Sequence, residues 1–498
     1  MNYTQKFATC KTIPHNFNKL SHEKKKEESS ASSSSGVALL VNKEVDDRVN
    51  KYEHIFKKHN RKFIAQYALA YGNLEKNPLE KRRLKKHLFE AEFKLKEKND
   101  SILKKINISL CNCGTKPHFN NIENKVEFVE TETSRRLKGL QSCGNSASCT
   151  VCAPKLSMIR GNQLSELITT GKDYNRSYIM VVPTIPHIPL ESLDITLNQV
   201  GDMSSFIFVQ PEFRKFKKLT ECRFVHGGLE VMVSFKNGLI DWHPHKNYLL
   251  DFDITIYEIK KLLGLDSDLE LAMYISRMFT TLGQRYLDKN KIDKKLLEPY
   301  FETIGSRTIV KAGVAATLEF DNKYISKWGL ASEMTASIYK NGIFDGHFED
   351  GEFKKSFHPF SLLDFIDEKN LETSESFKYQ SIMAFKEFVL AMKGKKWFYF
   401  ARGAVDYYYD EYDIDIKFKP DQEELETLED NGDVFATLTF KEWLYFKPNS
   451  RKVGIALSMP TREDILKYVY SEIEKNKKEV ENELLKKQKQ KKYYRTKK

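Results

Sequence analysis

The chain has 498 residues, 40% of them hydrophobic, with 81 Lys and Arg against 69 Asp and Glu and a formal net charge of +12. That apolar content can bury a large core and predicts two or three domains. No apolar run reaches the roughly eighteen residues of a membrane helix, and the N-terminus lacks the short apolar core of a secretory signal; the expectation is a soluble, cytoplasmic protein with no membrane partner.

Residues 1–43 include Ser29 to Gly36, SSASSSSG, and a lysine-rich flank. Such a segment buries too little apolar surface to offset its chain entropy, so disorder is expected. Residues 44–107 have helical periodicity, with Tyr52, Ile55, Phe56 and His59 on one side, as a packing or partner surface would. In residues 108–157, Cys111, Cys113, Cys143, Cys149 and Cys152 fall in the pattern C-x-C, then C-x5-C-x2-C. Clustered thiols in a reducing compartment favour a metal over disulfides. A closed tetrathiolate zinc site would use Cys143, Cys149 and Cys152 with either Cys111 or Cys113, with His118 as a spare ligand. Buried or surface cysteines without a metal are the plain alternative.

Residues 158–345 alternate strands rich in Ile, Val and Phe with helices, the pattern of an antiparallel sheet flanked by helices. The central feature is a hairpin. Leu229 to Phe235 and Leu239 to Leu250 flank Asn237-Gly238, the strongest short-range signal for a two-residue turn. With those two residues in the turn, Lys236 pairs with Leu239, Glu230 stands opposite His245, and Met232 opposite His243. Alternation puts His243, His245 and Asn247 on one face. Two imidazoles and a carboxylate there make a plausible open site for a divalent cation, Mg2+ or Mn2+. Further on, Asp321 to Ala336 reads as a helix with Tyr324 and Lys327 on one side. A tyrosine of ordinary pKa near 10 needs a polarising metal or an ammonium to act as a nucleophile. Packing of Tyr324 and Trp328 is the bland alternative, and an N-cap is the bland role for Asp321.

Residues 346–470 are mixed. Tyr407 to Tyr409 lie among Asp406, Asp410 and Glu411, which would repel a phosphate, so they are expected to be structural. Residues 471–498 form a basic helical tail: from Lys475 on, eleven basic and three acidic residues carry +8 of the +12. Such a tail suits sequence-independent phosphate binding, or is a solvated helix end. No glycine-rich phosphate loop occurs, which argues against an ATP-driven helicase.

Taken together, SYIMVVPTIP (Ser177 to Pro186), HGGLEVMVSF with DWHPHKNYLL (His226 to Leu250), and KYISKW (Lys323 to Trp328) resemble, in order, the strand, metal and tyrosine motifs of rolling-circle plasmid replication initiators. These belong to the HUH endonuclease superfamily. HPFSLL (His358 to Leu363) and Phe385 to Gly403 are similar to the family's C-terminal region, so the resemblance spans Cys143 to Gly403. It implies an α+β nicking domain over 158–345, with a helical N-terminal region and a mixed accessory region. It also implies a metal held by His243, His245, Glu230 and Asn247, with catalytic roles for Tyr324, Lys327 and Asp321. Tyr324 would cut one strand of a plasmid origin, leaving a 5′-phosphotyrosine and a 3′-hydroxyl primer, with a host helicase and polymerase as partners. The chain departs from the family twice. Asn247 stands where a histidine is usual, and Phe320 where some initiators carry a water-activating glutamate, which leaves Asp321 as the nearest carboxylate on the face of Tyr324. A transposase or relaxase of the same superfamily, or a non-catalytic zinc-dependent DNA-binding protein, are the alternatives.

Overall fold

The computed structural model describes residues 54–69, 90–118, 125–131, 134–187, 191–236, 239–304, 307–311, 314–318, 348–349, 352–353, 358–366, 375–414 and 432–496. The first half holds helix α1 (54–69), α2 (Glu90–Asn112), β1 (Lys125–Glu130), β2 (Arg135–Lys138), α3 (Cys152–Asp173) and β3 (Ser177–Pro183). There follow α4 (Leu193–Val209), α5 (Pro211–Leu219), β4 (Cys222–Lys236), β5 (Leu239–Phe252), α6 (Ile256–Leu263) and α7 (Asp268–Lys289). Three further strands are β6 (Tyr300–Ile304), β7 (Arg307–Lys311) and β8 (Val314–Leu318), and β9 (Phe348–Glu349) pairs with β10 (Glu352–Phe353). The last stretch holds α8 (Leu362–Ile366), α9 (Glu375–Ala391), β11 (Phe398–Tyr399), α10 (Ala404–Tyr412), β12 (Asp433–Thr439), α11 (Phe440–Phe446), α12 (Ser450–Ser458) and α13 (Arg462–Thr496). The chain is therefore α+β with antiparallel sheets. No helix among the described residues is long and apolar enough to cross a membrane.

Local sequence explains many of the boundaries. Thr255 with Glu258, Ser267 with Glu270, and Thr439 with Glu442 form reciprocal capping boxes that start α6, α7 and α11. Gly264, at φ +68°, ends α6 in the left-handed conformation that a glycine adopts without strain.

The main sheet runs β11-β4-β5-β3-β8, and every neighbouring pair is antiparallel. The β4–β5 ladder carries the register that Asn237-Gly238 implies: Lys236 pairs with Leu239, Met232 with His243, and Glu230 with His245. The two turn residues themselves lie outside the described residues. β3 covers only the far half of β5, from Ser177 opposite Phe252 to Val181 opposite Tyr248. Beyond that point the chain leaves β3 and passes beside the turn-proximal half of β5, which is where the candidate site forms. At the other edge, β11 lays Tyr399 across Gly227; a Cβ there would stand 2.3 Å from the tyrosine ring and would displace it.

The sheet's two faces differ. One is mostly apolar, with Lys246 opposite Leu229 as its charged exception. Leu229, Val231, Val233, Phe235 and Trp242 pack with Phe385 and Phe388 of α9 and with Cys113, Cys149 and Cys152. Ile179, Val181, Leu250 and Phe252 pack on α4 and α7. The opposite face is split. Its far half buries Tyr178 and Leu249 under Leu164 and Leu167 of α3 and Tyr408 of α10. There Arg176 reaches Asp251 at 2.6 Å, Tyr408 donates to Asp251 at 2.7 Å, and the Tyr178 and Tyr408 hydroxyls stand 3.0 Å apart. Tyr407 accepts from Arg176 at 3.2 Å, while Tyr409 is exposed. The turn-proximal half of this face carries the polar residues of the hairpin.

The linear segments expected from sequence interlock. β11, from the 346–470 segment, extends the main sheet, and β12 pairs with β1 of the cysteine-rich segment in the order β12-β1-β2. Val126, Phe128 and Leu438 of that small sheet share a core with Trp443, Phe446, Val469 and Ile473. The basic tail is the end of α13, which begins at Arg462 and so reaches back before residue 471. Residues 1–43 lie outside the described residues.

Candidate functional site

Alternation along β5 puts Asp241, His243, His245 and Asn247 on the polar face, with Ser234, Met232 and Glu230 opposite on β4. The loop after β3 brings His187 to the same place. Its Nδ1 lies 2.7 Å from Asp241 Oδ1, while the other oxygen, Oδ2, lies 3.6 Å from His243 Nε2. The two imidazole rings meet edge to face with centroids 3.7 Å apart. One donor atom each from His187, Asp241 and His243 falls within 4.8 Å of the others, and Asp241 is 2% exposed while both histidines are half-buried. Ser234 Oγ is 2.7 Å from His243 Nε2. This is not a hydrolase triad, because serine and aspartate address the same ring nitrogen, whereas an oriented general base needs them on opposite nitrogens.

The other expected ligands lie along the same face. His245 Nδ1 is 3.3 Å from Thr184 Oγ1, and Asn247 donates its amide to Glu230 at 3.5 Å. Sequence patterning brought His243, His245, Glu230 and Asn247 to one face. Among the described residues the carboxylate that pairs with His243 is nevertheless Asp241, and the imidazole beside it is His187. Asp241 was visible in principle, two residues before His243 on the same strand. His187 was not, since it follows the strand motif in an irregular segment and meets β5 only through the fold.

The second cluster is made of four cysteines. Cys113 Sγ is 3.4 Å from Cys152 Sγ and 3.7 Å from Cys149 Sγ, and Cys143 Sγ is 3.6 Å from Cys152 Sγ. A disulfide would be about 2.05 Å. Zn–S bonds of about 2.3 Å in a tetrahedron put sulfurs roughly 3.8 Å apart, so these four have the spacing of a closed tetrathiolate centre. Between the two candidates at the N-terminal end the structure selects Cys113. Cys111 is exposed, with Sγ 3.8 Å from Asn107 Oδ1, and His118 is outside the cluster. Gly114, at φ +62°, turns the chain just after Cys113, and the Cys152 amide donates to Cys149 Sγ at 3.4 Å.

Lys62 was not singled out from sequence. It is fully buried in α1 and donates its ammonium to the Cys113 carbonyl. Burial works against that charge, but the Cys113, Cys149, Cys143 and Cys152 sulfurs outweigh it and hold the ammonium above its ordinary range. Hydrogen bonding with Cys143, then with Cys149, pulls the Cys113 thiol down to about 7. A buried cation beside four sulfurs is the electrostatic complement of a tetrathiolate, whose net charge with a divalent ion is −2.

Tyr324, Lys327 and Asp321 lie outside the described residues. The strand β8 ends at Leu318, shortly before them, and stands beside β3 with Val314 opposite Pro183. In comparisons with known proteins, the chain matches no protein family, no curated protein and no solved structure.

Proposed function

We propose that this chain is a metal-dependent DNA endonuclease and strand transferase of the HUH type, acting as a rolling-circle plasmid replication initiator. The observation that carries the proposal is the polar half-face of the β4–β5 hairpin. It sets imidazoles and a carboxylate on the turn-proximal half of one face of an antiparallel sheet, beside the strand that resembles the family's first motif. A divalent cation there, Mg2+ or Mn2+, would polarise the scissile phosphate and neutralise charge developing on its oxygens. Tyr324 supplies the nucleophile: its phenolic oxygen gives up its proton to water and bonds to phosphorus, the bond between phosphorus and the 3′ oxygen breaks, and that oxygen takes a proton from water to leave as the 3′-hydroxyl. Lys327 stabilises the phosphate or the phenolate. The tetrathiolate is structural zinc and takes no part in the chemistry. The substrate is single-stranded at the nick, and a host helicase and polymerase extend the primer.

The test is covalent capture. Full-length protein is incubated with a random pool of single-stranded oligonucleotides and Mn2+, and adducts that survive detergent are resolved on a gel. Adduct formation by the wild type and its loss in Tyr324→Phe support the proposal. DNA binding without any adduct favours the second reading, a zinc-dependent DNA-binding protein with an inactive nuclease core. Asn247 favours that reading, since its amide engages Glu230 where the family carries a second imidazole.

A further inference from the structure

We propose that the hairpin's cation is held by His187, Asp241 and His243, two alternate positions nearer the turn than the His245 and Asn247 pair that the sequence motif marks. We propose also that the site prefers a first-row transition ion such as Mn2+ to Mg2+. The inference deepens the proposed function and rests on it only for what the metal does, since occupancy can be read without DNA.

The geometry carries the ligand set. With metal–ligand bonds of roughly 2.0–2.2 Å, neighbouring donors around one ion stand roughly 3.0–3.4 Å apart. The two separations seen here, 2.7 Å from His187 Nδ1 to Asp241 Oδ1 and 3.6 Å from His243 Nε2 to Asp241 Oδ2, bracket that range. Each carboxylate oxygen addresses a different imidazole, so one ion between the rings can bind both nitrogens and either oxygen with only small side-chain rotations. The serine hydroxyl that shares His243 Nε2 is a free rotor and can turn toward a metal-bound water once the nitrogen is taken. His245 does not complete the same set. It lies two residues along the strand, roughly 6.6 Å away by Cα, and its Nδ1 is turned to Thr184. With Glu230 and Asn247 it lies further along the same face of the hairpin, beside the proposed metal position.

Ligand chemistry sets the choice of ion. Mg2+ keeps an octahedral shell of oxygens and gives up water reluctantly, whereas two imidazoles with one carboxylate suit Mn2+, Co2+ or Zn2+. A site built on the motif pair would offer one imidazole, a neutral amide and the Glu230 carboxylate that the amide already engages, one imidazole fewer than the set around Asp241.

The experiment uses the full chain, with exchangeable metal stripped by a chelator and zinc retained at the cysteines. Mn2+ binding is followed by loss of the free-ion paramagnetic resonance signal. One Mn2+ should bind per chain beyond the zinc. His187→Ala, Asp241→Ala and His243→Ala should each weaken binding at least tenfold, whereas His245→Ala should change it by less than about threefold. His187→Asp, which keeps a donor at the same place, should retain most of the binding, separating ligation from packing. A hundredfold excess of Mg2+ should not displace the Mn2+. The proposal is overturned if His187→Ala binds as the wild type does, if His245→Ala loses as much as His243→Ala, if no Mn2+ binds, or if equimolar Mg2+ competes. Tyr324→Phe must bind Mn2+ normally, so failure of the nicking proposal leaves this result intact and readable.

Discussion

His187 and Asp241 are 54 residues apart in the chain, yet the imidazole Nδ1 and the carboxylate Oδ1 stand 2.7 Å from each other. That contact joins the loop after one strand to the turn-proximal end of its neighbour. It turns a hairpin carrying two histidines into a site with three converging donors.

Covalent attachment should depend on one tyrosine. Tyr324→Phe keeps the ring and deletes the nucleophile, so detergent-stable adduct should vanish while noncovalent DNA binding persists. Asp321→Ala should leave the first nick unchanged but make the adduct accumulate, because water attack on a phosphotyrosine needs a nearby base. A time course on a minimal oligonucleotide checks both; adduct that decays equally fast in the Asp321 variant would assign release to a second subunit.

At the thiolate cluster, Cys149→Ser or Cys152→Ser should lower the thermal midpoint and abolish stoichiometric zinc, since a closed structural site contributes folding free energy directly. Cys111→Ser, at an exposed position, should change stability by no more than about 0.5 kcal/mol and leave zinc content intact. Elemental analysis and calorimetry on the three variants decide between a zinc centre built on Cys113 and one built on Cys111.

Lys62→Met should separate the metal-bound from the metal-free protein. The ammonium is fully buried beside the sulfurs, so it stabilises a fully ionised metal centre, and without a metal its charge is matched only in part, because the Cys143 and Cys149 thiols are pushed up. Zinc affinity, measured by competition with a chromogenic chelator, should fall at least tenfold, while the metal-free protein should become more resistant to urea. Equal changes in both forms would mean that the side chain acts only through packing.

The polar network at the far end of the sheet should matter to stability and not to metal binding. Asp251→Ala leaves Arg176 buried without its main partner, which typically costs about 3–5 kcal/mol. Tyr408→Phe removes one hydroxyl from between Asp251 and Tyr178 and should cost about 1–3 kcal/mol. Denaturant titration reads both, with exposed Tyr409→Phe as the near-neutral control.

Acid should destabilise the fold partly through His358. Burial, reinforced by Arg61, lowers its pKa from 6.5 to about 3. Between those values the unfolded chain binds a proton that the folded chain refuses, so stability falls as pH drops below about 6.5 and stops falling from this source near 3. At pH 5 the loss is about 2 kcal/mol. His358 Nδ1 accepts the Phe360 amide, a role that asparagine can fill, so His358→Asn should flatten the acid limb of a stability–pH curve while preserving the turn.

What was legible in the sequence was local. Asn237-Gly238 set a register that held along the β4–β5 ladder down to Phe224 opposite Asp251, because a two-residue turn leaves the strands no freedom to slip. The cysteine spacing marked four sulfurs that meet, but the choice of Cys113 over Cys111 depends on how α2 ends and where Gly114 turns, which spacing does not encode. His187 and Lys62 were illegible for a common reason. Each acts on a group far away in sequence, and a lone histidine in a loop or a lone lysine in a helix carries no periodic signature. The same holds for β12, whose partner β1 lies at the other end of the described chain.

That last pairing bears on how the protein is made. Arg135, beside β1, bonds the carbonyl of Met459, 324 residues further along. At ribosomal speeds of about 5–20 residues per second, the cysteine-bearing segment would wait roughly 16–65 s for the chain that completes its sheet. All four sulfurs, by contrast, leave the ribosome long before that. Zinc captured by the nascent chain would tie α2 to α3 early and hold the edge of β1 in place until β12 arrives, so zinc starvation during synthesis should yield aggregated protein that zinc added after translation does not rescue.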